Sequence, residues 1–149
     1  MCIRDSNNTT GVANIGVGQI ALVNNTTGQG NTAMGHQTLS NNTTGNYNVA
    51  LGREAMLDNS TGSNNTAIGY YALISNSTGR SNVAIGINAS RLNGAANNNV
   101  AVGDSALLNN TVSNSVAVGS KALKSNTTGI QNTAIGFRAM QDNTIGQNN

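Results

Sequence analysis

The chain has no proline and no tryptophan; aromatic residues make up 3% and charged residues 8% of its 149 positions. These shortages exclude an ordinary globular composition. The net charge is only +2 at neutral pH, and there is no basic run and no interleaving of cations with aromatics. The electrostatic footprint of a nucleic-acid binder is therefore missing. No apolar run reaches about 18 residues, so no segment reads as a membrane-spanning helix. Acids beyond the first six residues are limited to Glu54, Asp58, Asp104 and Asp142. Asp58 and Asp142 share a repeat position but stand five repeats apart, too far to act as a carboxylate pair on one bond. There is no GGxGxD calcium repeat, no nucleophile–base pair and no phosphate loop. No cofactor, no metal and no catalytic residue is expected, and the chain reads as a non-enzyme.

What the chain does have is repetition. One short phrase recurs eight times, each copy closed by a glycine: Gly18, Gly35, Gly52, Gly69, Gly86, Gly103, Gly119 and Gly136. The interval is 17 residues throughout, apart from one of 16 between Gly103 and Gly119. A fixed period of this length means a solenoid, one coil per repeat, each coil touching its neighbours. Composition alone would suggest a disordered polar tract, but disorder gives no reason to place Ile or Val at a fixed interval.

The columns of the repeat carry the local prediction. Three residues before the glycine stand Ile15, Thr32, Val49, Thr66, Val83, Val100, Val116 and Thr133. One residue before it stand Val17, Met34, Leu51, Ile68, Ile85, Val102, Val118 and Ile135. This alternation of mostly β-branched residues predicts a strand with one apolar face. Between the two columns lies a small one: Gly16, Ala33, Ala50, Ala67, Ala84, Ala101, Ala117 and Ala134. It points to the opposite face and leaves room for another backbone, so its alanines are the expected face on which copies assemble.

After the glycine, segments such as 53–57 and 120–124 use helix formers, which predicts one helical turn or tight bend, with a second short strand as the competing reading. Asn stands seven past the glycine in every coil (Asn25, Asn42, Asn59, Asn76, Asn93, Asn110, Asn126, Asn143). It suits a left-handed turn and bonds to its own turn backbone. Gly ten past the marker is expected at positive φ. A second Asn column, four before the marker, should stack with the first into amide ladders at a rise of about 4.8 Å per coil, giving a rod about 38 Å long. The coil after Gly86 departs from the pattern, with Ser90 for the usual Leu and Asn93-Gly94-Ala95-Ala96 in its turn. It reads as a repacked coil.

Residues 114–119 spell N-S-V-A-V-G, and 65–69, 82–86 and 132–136 spell N-T-A-I-G or N-V-A-I-G. These phrases resemble the head repeat of YadA-like trimeric autotransporter adhesins. The longer unit, as in 65–79, also resembles repeats of phage tail-fibre proteins. The resemblance covers 7–149. It implies an all-β, left-handed parallel β-roll of eight coils assembled as a homotrimer. It further implies a structural and adhesive rod on the bacterial outer surface that meets a host-surface protein or glycan receptor; a tail-fibre shaft on a virion is the alternative. The period of 17 is longer than usual for the adhesin heads, and the extra residues belong in the bend. An ice-binding solenoid is a further alternative, raised by the threonine-rich turns; adjacent threonines such as Thr26 and Thr27 point apart and disfavour it.

Residues 1–6 do not fit the repeat and read as a translated sequencing-adapter end, so 7–149 is expected to be a single solenoid domain cut from a longer protein. The two positions after each marker vary freely and hold most of the chain's chemical diversity. His36, Arg53, Tyr70, Tyr71, Phe137 and Arg138 form the candidate recognition stripe, since Tyr, Phe and Arg are rich in binding energy and aromatics stack on sugar rings. His36, the single histidine, is expected to be solvated rather than catalytic.

Overall fold

The computed structural model describes residues 8–149, so the suspect leader at 1–6 lies outside the described residues. The chain is a parallel β-solenoid. Its strands are β1 (Ile15–Val17), β2 (Thr32–Met34), β3 (Val49–Leu51), β4 (Thr66–Ile68), β5 (Val83–Ile85), β6 (Val100–Val102), β7 (Val116–Val118) and β8 (Thr133–Ile135). They form one eight-stranded sheet in chain order. Register follows the repeat: Ala33 pairs with Ala50 and Ala50 with Ala67. The short repeat is absorbed without a slip, because Ala101 still pairs with Ala117. Each strand joins two β-branched or large apolar residues around one small residue, which suits a pleated ribbon.

The inner face is the reverse of a reading in which the large residues point inward. Ala33, Ala50, Ala67, Ala84, Ala101 and Ala117 are fully buried within the single chain, and Ala134 nearly so. The flanking columns face outward. These alanines are therefore the wall of the core, and the expectation that they form the face between copies is corrected. The reason is the width of the coil. A Cβ built on Gly16 meets Leu22 Cβ at 3.8 Å and Leu22 Cδ1 at 3.7 Å, so a methyl already fills the gap between strand and bend. The opposite wall is Leu22, Leu39, Met56, Leu73, Leu107 and Leu123, all fully buried, with Ala21, Ala55, Ala72, Ala89, Ala106 and Ala122 beside them.

The bend after the glycine is not helical, and no helix occurs among the described residues. The second and fourth residues past each marker take positive φ, as in Gln37 (55°) and Leu39 (50°) or Tyr71 (60°) and Leu73 (51°). Left-handed residues alternating with ordinary ones cancel the winding of a helix. The backbone then bonds from coil to coil: Gln37 N–H donates to Gln19 O (2.9 Å), Leu39 N–H to Ala55 O (3.1 Å) and Asn41 N–H to Leu57 O (3.0 Å). Helix formers accept this strained region because the fourth residue thereby turns its side chain into the core, while its N–H bonds the next coil and its carbonyl accepts from its own turn, as Leu39 O does from Asn42 N–H (3.2 Å).

The amide ladders form as expected, though not through left-handed asparagines. Asn42 donates to Asn25 Oδ1 (2.7 Å) and Asn59 to Asn42 Oδ1 (2.7 Å), and each also bonds the carbonyl of its own turn, Asn42 to Gly45 O (3.0 Å). In the second column, Asn48 Nδ2 donates to Asn31 Oδ1 (3.1 Å) and to Gly62 O (2.8 Å). The glycine ten past the marker is also not at positive φ. It is required by close approach: a Cβ on Gly45 would collide with Gly62 O of the next coil and with Asn42 Oδ1.

Candidate functional site

The variable stripe runs just past the strands, where neighbouring coils bring successive markers together. Glu54 N–H donates to His36 O (2.9 Å), Tyr71 N–H to Arg53 O (3.3 Å) and Asn88 N–H to Tyr70 O (2.9 Å). His36, Arg53 and Tyr70 thus stand on consecutive coils in register. Their side chains fare differently. His36 is half-buried rather than freely solvated, and its Nδ1 has no partner. Arg53 and Tyr70 are exposed, and Tyr71 is half-buried.

Arg53, Tyr70 and Tyr71 form a pile with two residues outside the expected stripe, Glu54 and Arg91. The Tyr70 and Tyr71 rings stack with centroids 3.8 Å apart and planes inclined by 26°. The Arg53 guanidinium lies over Tyr70 at 5.8 Å, reaching in from the preceding coil. The Arg91 guanidinium lies over Tyr71 at 5.3 Å, reaching back from the following coil. Arg53 Nε donates to Glu54 Oε1 at 2.8 Å. That hydrogen bond, then the Glu54 charge, holds the Arg53 pKa above its ordinary value. The Tyr71 hydroxyl is also pushed up, first by hydrogen bonding with Tyr70, then by desolvation and the negative charge of Glu54. The pile thus gathers two guanidinium groups, one carboxyl group and two phenols.

Phe137 and Arg138 stand apart near β8, where Arg138 lies over the Phe137 ring at 5.0 Å. Both are exposed. Arg91 escaped sequence reasoning because it stands five past its marker, in a mixed column held elsewhere by Val23, Ser40, Leu57, Ile74, Leu108, Lys124 and Gln141. Among the described residues, no group of three or more His, Cys, Asp or Glu could hold a metal ion, and no helix is long and apolar enough to cross a membrane.

A second feature is the outer face of the sheet. Ile15, Met34, Val49, Ile85 and Ile135 are exposed, Ile15 at 54% and Ile135 at 72%, and Leu51, Ile68, Val100, Val102, Val116 and Val118 are half-buried. Two apolar columns run the length of the rod on this side, relieved by Thr32, Thr66 and Thr133. Comparison with protein-family models, curated proteins and solved structures gives no match for this chain.

Proposed function

We propose that the chain is a non-catalytic rod segment of a bacterial surface adhesin, resembling the head of a trimeric autotransporter, that mediates attachment to a host-surface protein or glycan. The observation that carries the reading is the outward apolar stripe of β1–β8. The coil interior is already closed by Ala, Leu and Asn, so the stripe is surplus to folding of one chain. A continuous apolar strip of this kind marks an association surface, and a homo-oligomer with closed symmetry covers it on every copy. In this reading three copies pack through the Ile, Val, Leu and Met columns, and the variable residues after each glycine remain for recognition. A tail-fibre shaft on a virion uses the same assembly.

Sedimentation equilibrium tests the assembly. A trimer is expected for the native chain, and Ile85→Lys with Val100→Lys should yield a monomer whose coils still fold, because both side chains point out of the core. A native chain that stays monomeric at high concentration overturns the trimer. Attachment of the labelled rod to bacterial-host cell surfaces, reduced by Tyr70→Ala with Tyr71→Ala, tests the adhesive role.

A further inference from the structure

We propose that the pile of Arg53, Tyr70, Tyr71 and Arg91 is a binding site for an acidic saccharide, one that carries sulfate or carboxylate groups. The proposal rests on the adhesive reading of the rod and names the chemistry of its ligand. Its first support is what the pile hides. A sugar or a nucleobase that stacks needs an open ring face, yet the Tyr70 and Tyr71 rings cover each other at 3.8 Å, with a guanidinium at each outer end. Edges are left to present outward, and they are rich in donors: the guanidinium N–H groups, beside two phenol hydroxyls that bond each other. A donor-rich surface selects a ligand rich in oxygen acceptors.

The second support is preorganisation. In a chain with seven Lys and Arg in all, two arginines from alternate coils are held at the ends of one aromatic stack. Cation–π contact fixes a guanidinium and lowers the entropy lost on binding. Only the Nε of Arg53 is tied to Glu54, so its terminal N–H groups stay free. Arg91 has no ion pair among the described residues, and all its N–H groups are open to a planar or tetrahedral anion. One carboxylate against two guanidiniums leaves a net positive charge at the pile. The three coils involved belong to one chain, so the site is complete without a partner copy.

The test compares dextran sulfate with uncharged dextran of the same length, by calorimetry on the native chain at low and physiological salt. Dextran sulfate should bind at least tenfold more tightly. Arg91→Gln should weaken it fivefold or more without shifting the melting temperature, and Arg91→Lys should fall between. Lys124→Gln, a cation in the same column two coils further on, should leave binding unchanged. The proposal is overturned if dextran binds equally, if Arg91→Gln has no effect, or if Lys124→Gln weakens binding as much as Arg91→Gln, which would mean net charge alone. Oligothymidylate that outcompetes dextran sulfate would also overturn it in favour of nucleic acid. A monomer that still binds dextran sulfate removes the rod assembly and keeps this site; a trimer that does not bind removes the site and keeps the rod.

Discussion

At the residue scale, the core is so thin that single side chains stand out. Ser90 occupies the position that Leu73 and Leu107 fill in the coils on either side, and it is buried, with Oγ 3.3 Å from Asn93 Oδ1. It already has the left-handed φ of that column, 48°. Ser90→Leu adds no backbone strain and continues the apolar column, so it should stabilise by about 1–2 kcal/mol. A rise in the chemical-denaturation midpoint at unchanged slope checks this. The opposite case is Asn59, which donates to Asn42 Oδ1 and Gly62 O and accepts from Asn76 at 2.8 Å. Asn59→Ala leaves Asn42 Oδ1 and Asn76 Nδ2 short of a partner inside the core and should cost about 2–4 kcal/mol, measured in the same titration. The ladder residues were legible in the sequence because an invariant polar column has few structural uses in a stacked coil. Arg91 was not, since charge appears in its variable column only there and at Lys124, which carries no periodic signal.

At the element scale, period and register followed from the spacing of the marker glycines. One local reading failed, and of the helical turn and tight bend left open past the marker the bend is what forms, both for physical reasons that spacing does not contain. Alternating columns of Val and Ala show that a strand has two faces; which face is inner depends on the distance to the opposite wall, and here that distance admits only a methyl. Helix formers past the marker reflect side chains that suit compact backbone, and neighbouring coils, by capturing the N–H groups of Gln37 and Leu39, decide between winding and zigzag. The glycines separate the same way. Gly45 has ordinary φ, but its Cβ would strike Gly62 O, whereas Gly94 has φ of 63° and nothing within 4 Å of a Cβ. Gly45→Ala requires coils to move apart and should destabilise by about 1–3 kcal/mol or more. Gly94→Ala costs only the left-handed penalty, about 1 kcal/mol. Melting temperatures should fall in that order, and a larger drop for Gly94→Ala would mean that close packing of coils is not what those turn glycines serve.

At the scale of the whole molecule, the solenoid behaves as a one-dimensional stack whose stability sums over neighbouring coils, and one seam in that stack is weaker than the rest. Strand pairing is continuous from β5 through β7. The side-chain ladders are not. The first column runs to Asn93, which donates to Asn76 Oδ1 at 2.8 Å, but Asn110 donates to Val112 O of its own turn, at 2.6 Å, and not to Asn93, before Asn126 resumes the ladder by donating to Asn110 Oδ1. The second column meets Ser115, whose buried Oγ has no partner. Asn99 Oδ1 still accepts the Ser115 N–H (2.9 Å), but the amide donors turn aside: Asn99 Nδ2 bonds Asn93 Oδ1 at 3.1 Å, and Asn132 Nδ2 lies 3.5 Å from Asn126 Oδ1. Both ladders thus lapse around one coil, where the repeat is also a residue short. Local opening follows the weakest interface. Native-state hydrogen exchange should therefore show 8–93 protected as one block and the coils past 110 opening together at lower free energy, with amides near 97 and 113 exchanging first. Ser115→Asn supplies the missing amide between Asn99 and Asn132; it should raise protection past residue 110 and merge the two blocks. Uniform protection along the native chain, or an unchanged pattern in Ser115→Asn, would mean that the strand ladder alone holds this seam.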